Sequence, residues 1–162
     1  LQGDAEVVVT SVDTDSRRVQ PRQLFVALPG EKFDGHDFLP QVSAQGAAAA
    51  LVSRPVSTDM PTLQVADTRL AMGQLAAYWR QKLGTPMIAV TGSNGKTTTK
   101  EMIAAIMQAH TGGIEPVLAT AGNFNNDIGM PLTLLRLLPQ HRCAVIEMGM
   151  NHLGEIDYCG HQ

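Results

Sequence analysis

Ile88-Ala89-Val90-Thr91-Gly92-Ser93-Asn94-Gly95-Lys96-Thr97-Thr98-Thr99-Lys100-Glu101 is the stretch that decides the fold. Residues 87–90 read as a short buried strand. Residues 96–110 read as a helix whose apolar face carries Met102, Ile103, Ile106 and Met107. A glycine turn between such a strand and such a helix aims backbone N–H groups at an anion. Lys96 then stands where a lysine reaches the outer phosphates of a nucleotide, and Thr97 where a hydroxyl meets a magnesium ion. The spacing departs from the generic phosphate-binding loop, which has a longer gap between its glycines. Here only Ser93 and Asn94 separate Gly92 from Gly95, and Val90 holds the place of the usual first glycine. The flanking strand and helix outweigh that departure, and a nucleoside triphosphate is the first ligand expected.

The 162 residues are 44% hydrophobic and 17% charged, a balance that supports a packed core and argues against disorder. The net charge of −3 comes with no basic run, which argues against nucleic acid or an anionic membrane as a partner. Cys143 and Cys159 form neither a disulfide framework nor a metal-binding spacing, and a reducing cytoplasm fits them. No apolar run reaches the ~20 residues of a membrane span, and no signal peptide precedes the first strand. The chain opens on Leu1 rather than methionine, which leaves room for an upstream segment.

Outward from the loop, strands are expected at residues 7–11, 24–28, 47–53 and 63–66, with a short helix at 38–45. A longer helix follows, capped by Asp67 or Thr68, with Ala71, Leu75, Tyr78 and Leu83 on its apolar face and Gly84 at its end. Thr85-Pro86 marks the expected boundary between two domains, 1–84 and 85–162. Beyond the loop helix, a strand at 117–119, a helix at 130–138 and a buried strand at 143–147 complete the pattern. The alternation predicts an α/β fold: a small N-terminal α/β domain, then the first part of a mostly parallel-sheet domain carrying the loop.

Glu147 ends the last strand. Ligands of open parallel sheets gather at that edge, so its carboxylate is a candidate magnesium ligand or, alternatively, a cap for the next turn. The run Thr120-Ala121-Gly122-Asn123-Phe124-Asn125-Asn126-Asp127-Ile128-Gly129 belongs on the same edge. Its amides can donate to phosphate or carbonyl oxygens, or can simply build a turn. In Asp13-Thr14-Asp15-Ser16-Arg17-Arg18, Ser16 and Arg17 suit a uracil-like or anionic group, or a solvated turn. His36 lies between Asp34 and Asp37 with no second histidine at ligand spacing, and His152 has site and capping readings of equal weight.

Taken together, these segments resemble the Mur ligases of peptidoglycan synthesis. Asp15-Ser16-Arg17, Leu24-Phe25-Val26-Ala27-Leu28, Gly30-Glu31 and Phe33-Asp34-Gly35-His36-Asp37-Phe38 resemble that family's first domain. Residues 91–98 resemble its shortened phosphate loop. Gly122-Asn123-Phe124-Asn125-Asn126-Asp127-Ile128-Gly129, Pro131-Leu132-Thr133-Leu134-Leu135 and Glu147-Met148-Gly149-Met150-Asn151-His152-Leu153-Gly154-Glu155-Ile156 resemble the branch that adds D-alanyl-D-alanine. The branch that adds the third amino acid usually has a different loop and a Ser-Ser-His stretch after the glutamate. The asparagine-rich loop and the Glu147 segment also argue against a folylpolyglutamate-type relative with the same phosphate loop. From a different class, a non-catalytic module that binds a nucleotide or UDP-sugar competes with the ligase reading.

The resemblance implies a P-loop ATPase domain preceded by a UDP-muramoyl-substrate domain. It implies ATP and magnesium, UDP-N-acetylmuramoyl-tripeptide and D-alanyl-D-alanine as substrates, and a cytoplasmic enzyme that is monomeric at full length. Lys96 is the implied catalytic residue. Gly92, Ser93, Asn94, Gly95, Lys96, Thr97, Thr98 and Asn126 are implied for ATP, Thr97 and Glu147 for the metal, and Ser16, Arg17, Thr120, Asn123 and Asn125 for substrate. Family members are far longer, and 157–162 do not continue the pattern smoothly. The expectation is a fragment that does not ligate by itself.

Overall fold

The computed structural model describes residues 1–30 and 32–149. Glu31, His152, Cys159 and the rest of the 150–162 stretch lie outside the described residues. The chain divides into two compact units, Leu1–Met72 and a second beginning at Gly73. That division falls within a helix. Its physical cause is that Ala76, Trp79 and Leu83, in the later part of that helix, pack into the core of the second unit.

The first unit is a parallel sheet of four strands in sequence order: β1 (Ser11–Asp13), β2 (Gln23–Val26), β3 (Ala49–Val52) and β4 (Thr62–Gln64). Leu24 lies opposite Ala49, and Ala50 opposite Thr62. The crossover from β2 to β3 carries a 3-10 turn at Gly35–Phe38 and helix α1 (Leu39–Ala44). Leu39 and Val42 of α1 meet Phe25, Ala50 and Val52 of the sheet in one cluster. Burying a side chain of the size of Phe25 contributes about 2–3 kcal/mol. After β4, Asp67 Oδ1 accepts from the N–H groups of Arg69 and Leu70 and so caps helix α2 (Thr68–Leu83). The buried Thr68 hydroxyl donates to Ala27 O at 3.0 Å.

Two expectations are corrected in this region. Residues 7–10 are not strand. Val8 and Val9 are exposed, and pairing with β2 begins only at Ser11, because β-branched residues favour a strand where a neighbour gives them packing. The buried stripe of α2 runs through Met72, Ala76, Trp79 and Leu83, with Tyr78 exposed. The expected face through Ala71, Leu75 and Tyr78 is therefore rotated by about one residue.

A polar clip holds the 3-10 turn to the end of β3. Ser53 N–H donates to His36 Nε2 at 2.9 Å, which leaves Nδ1 protonated to donate to Asp34 Oδ1. Asp34 Oδ1 also accepts from His36 N–H, and Oδ2 accepts from Arg54. The His36 backbone N–H, then its side chain, hold the Asp34 carboxyl down at about 2 against an ordinary 3.8. A depressed carboxyl stabilises the fold above its unfolded value, and this contribution disappears as pH falls from about 4 towards 2. Asp34→Asn is expected to lower the melting temperature at neutral pH and to converge on the unsubstituted chain near pH 2. Thermal melts across that range check it, and a deficit constant with pH would refute the assignment.

The second unit has a parallel sheet in the order β5 (Met87–Val90), β7 (Cys143–Glu147), β6 (Val117–Ala119). Helix α3 (Lys96–Thr111) covers one face, where Ala104, Ile103 and Met107 meet Val90, Val117 and Val145. Helix α4 (Gly129–Leu134) and the later part of α2 cover the other, through Met130, Leu134, Ala76 and Trp79. Here too the faces differ from expectation. Met102 and Ile106 of α3 are 62% and 65% exposed, while Lys100 and Ala104 turn inward. Helix α4 stops at Leu134 rather than 138, and residues 135–137 continue as turns bonded to Pro131, Thr133 and Leu134 carbonyls. Among the described residues no helix is long and apolar enough to cross a membrane.

Candidate functional site

Parallel strands end together, and the second unit gathers its chemistry at the carboxyl ends of β5, β7 and β6. Val90 and Glu147 are register partners. Met148 N–H donates to Val90 O at 2.9 Å, and the Thr91 hydroxyl donates to Met148 O at 3.4 Å. The loop then turns through Gly92 at φ 141° and Gly95 at φ 75°, backbone that side chains with a Cβ rarely adopt. Gly95 is the N-cap of α3 and supplies no side-chain cap. The first-turn N–H groups of α3 therefore have no acceptor within the helix and form the positive end of its dipole. Lys96 Nζ folds back over the loop and donates to Gly92 O at 2.7 Å. Ser93, Asn94, Thr97 and Thr98 stand around this rim.

Glu147 is 2% exposed. Its backbone N–H donates to Thr120 Oγ1 at 2.9 Å, and its Oε1 accepts from Asn125 Nδ2 at 2.8 Å. Its Oε2 is buried with no hydrogen-bond partner. Leaving such an oxygen unmatched costs about 1–3 kcal/mol or more, and a cation would satisfy it. Among the described residues no group of three or more His, Cys, Asp or Glu forms a cage. A cation beside Glu147 would then draw its other ligands from Thr97, water and phosphate oxygens, the coordination that magnesium favours beside a nucleotide.

Within the asparagine run Asn125 supports this carboxylate, while Asn123, Phe124 and Asn126 are exposed. Gly149 N–H donates to Asn125 O at 2.6 Å while the Asn125 side chain holds Glu147. Asn126 Oδ1 accepts from Gly129 N–H at 2.7 Å and Ile128 N–H at 3.3 Å, so this atom caps the start of α4. Asn123 is exposed on the run. Thr120 is 1% exposed and lies beneath Glu147, its side-chain oxygen taken by the Glu147 N–H. The structure thus joins Lys96, Glu147, Asn125 and Thr120 at one sheet edge, and turns the Asn126 carbonyl oxygen towards the helix.

Ser16 and Arg17 belong to the first unit, on the turn after β1. Asp13 Oδ1 accepts from Thr14 and Asp15 N–H groups and shapes this turn, and Gln41 Nε2 donates to Ser16 O at 3.0 Å. Arg17 grips Asp15 through Nε and a terminal nitrogen at 2.8 and 2.7 Å. That side-chain bond is the main reason the Asp15 carboxyl is held down at about 2. A cavity of about 540 Å³ opens here, lined by Ser16, Arg17, Phe25, Phe33 and Phe38 among others.

Sequence reasoning passes over Lys100, whose ammonium is buried and donates to Thr120 O at 2.6 Å. The available signal is its position one turn before Ala104 and three residues before Ile103, on the face that turns inward.

Two family models match the chain: "Mur ligase family, catalytic domain" over residues 8–80 and "Mur ligase middle domain" over residues 90–161. The UDP-N-acetylmuramoyl-tripeptide–D-alanyl-D-alanine ligase of Escherichia coli (strain K12) is 56% identical over 96% of this chain and 33% of its own length. A crystal structure of MurF from Acinetobacter baumannii is 50% identical with a TM-score of 0.84, covering 91% of this chain and 32% of that one. MurF ligase from Thermotoga maritima, solved in complex with ADP, is 28% identical with a TM-score of 0.83, covering 98% and 36%. The expected α/β architecture with parallel sheets is the architecture of these structures. The chain spans about a third of the length of the relatives it matches.

Proposed function

The chain belongs to the Mur ligase family, and on that premise we propose that it carries the nucleotide-holding edge and the UDP-substrate unit of an ATP-dependent peptide ligase. The ligase joins D-alanyl-D-alanine to UDP-N-acetylmuramoyl-tripeptide in peptidoglycan precursor synthesis, in the cytoplasm. The observation that carries the reading is the unpaired, buried Glu147 Oε2 on the strand end that pairs with Val90, where the phosphate loop begins.

The reaction has two halves. An oxygen of the tripeptide's terminal carboxylate takes the γ-phosphoryl group of ATP, and the bond to the bridging oxygen breaks to leave ADP. The amine of D-alanyl-D-alanine then attacks the carbonyl carbon of the acyl phosphate. A C–N bond forms, the amine loses a proton, and inorganic phosphate leaves with the C–O electron pair. Phosphoryl transfer is catalysed mainly by position and charge. The first-turn N–H groups of α3 and the amides of 92–95 bind phosphate oxygens. Lys96 moves from Gly92 O to the outer phosphates and balances the charge that develops there. Glu147 and Thr97 hold a magnesium ion, which when bound neutralises phosphate charge. Asn125 keeps Glu147 oriented towards it, and Asn123 and the Asn126 amide group face the nucleotide or the reacting carboxylate. In the first unit, Ser16 and Arg17 receive the UDP end.

Calorimetric titration of the chain with ATP and with UDP-N-acetylmuramoyl-tripeptide, each with and without magnesium, tests the proposal. Magnesium-strengthened ATP binding and separate binding of the UDP substrate are expected, with no ligated product from the 162 residues alone. Absence of ATP binding would remove the proposal.

A further inference from the structure

Lys100 sits on the second turn of α3, on the face it shares with Ile103, Ala104 and Met107, and is 1% exposed. Taking an ammonium out of water costs several kcal/mol, and a buried ion pair replaced as a whole by well-packed apolar side chains is often no less stable. A face that only had to pack against the sheet would therefore be served better by methionine or leucine. What the charge does here is specific. Its Nζ donates to Thr120 O at 2.6 Å and reaches Glu101 Oε1 at 2.7 Å. Thr120 is in turn bonded at its two other polar atoms: its N–H donates to Val145 O at 3.0 Å, and its hydroxyl oxygen receives the Glu147 N–H. A chain of bonds thus runs from the phosphate-loop helix through Lys100 and Thr120 to the backbone of Glu147.

We propose that Lys100 is a positioning residue that locks the register between the phosphate-loop helix and the Glu147 carboxylate. It acts through Thr120, setting the distance between the phosphate contacts and the metal ligand. The inference rests on the nucleotide reading above. It goes further in assigning to a residue that touches neither nucleotide nor metal a control over how well the two are held together. Groups that orient a metal ligand from behind typically change metal affinity by about 10–100-fold when removed. The phosphate contacts of α3 and Lys96 do not depend on this bond, so binding of nucleotide without metal is spared.

The experiment measures ADP affinity of the chain and of Lys100→Met by calorimetry, in magnesium and in EDTA, together with melting temperatures without ligand. The expected result is magnesium–ADP affinity lower by about tenfold or more with metal-free ADP affinity unchanged, and a melting temperature lowered only by the loss of the donor to Thr120 O. Unchanged magnesium–ADP affinity overturns the inference. So does an equal fall in both affinities, the result of a purely structural role. Thr120→Val, which removes the acceptor of the Glu147 N–H, is measured in parallel and is expected to show the same split. If Lys100→Met does not fold, Lys100→Leu takes its place with the same outcomes. If the unsubstituted chain shows no magnesium-dependent ADP binding, the nucleotide reading fails first, and that failure is visible without any variant.

Discussion

Lys96→Ala is expected to weaken ATP binding by about a hundredfold, equivalent to about 2.8 kcal/mol, with little change in the melting temperature of the free chain. Two physical terms set that size. The ammonium is a single point charge meeting the most highly charged part of the ligand, and charge-assisted hydrogen bonds of this type contribute about 1.5–3 kcal/mol each. In the free chain the same nitrogen donates to Gly92 O at the rim of the loop. Its removal relaxes the loop without opening a core. Calorimetry with ATP, alongside a melt without ligand, checks both parts. Wild-type affinity in the variant would mean that the glycine turn is only a connection between β5 and α3.

Glu147→Gln is expected to weaken metal-dependent binding without weakening the free fold. The carboxylate is buried, Asn125 satisfies one oxygen, and the other has no partner. Glutamine keeps the shape and an acceptor for Asn125, and it removes a charge that the free fold must shield. The free variant therefore melts at or above the temperature of the unsubstituted chain. The metal loses an anionic ligand, and magnesium–ATP affinity falls by about a hundredfold while binding in EDTA is retained. A drop in melting temperature with unchanged magnesium dependence would assign Glu147 to the core alone.

Much of this site is readable along the chain because its first parts are local. Residues 91–98 form a contiguous turn and helix start, and Glu147 announces itself as a carboxylate closing a run of four apolar residues. The supporting bonds are not readable in this way. Lys100 to Thr120, Asn125 to Glu147 and Thr120 to Glu147 join residues 20, 22 and 27 positions apart, and only the folded sheet brings them together. The strand positions follow from apolar runs broken by glycine and proline, but helix phase does not. In α3 the apolar residues are spread around the axis, so Met102 and Ile106 compete with Ala104 for the inward face. Ala104 takes the inward position in one cluster with Val90, Val117 and Val145, and the same helix phase carries Lys100 inside. Asn126 is readable as a ligand amide, yet the nearest unsatisfied donors are those of the next helix, and its oxygen takes them.

The nucleotide reading depends on one sheet edge, from the loop at 91–98 to Glu147, holding a nucleotide with its metal. Backbone amide spectra of the isotopically labelled chain, titrated with magnesium–ADP, give the sharpest check. The predicted result is a set of saturable shifts concentrated at 91–98, at Asn125 and at Glu147, with those at Asn125 and Glu147 lost when EDTA removes the metal. Saturable binding whose shifts fall only on the first unit, or no shifts at millimolar ligand, would contradict it.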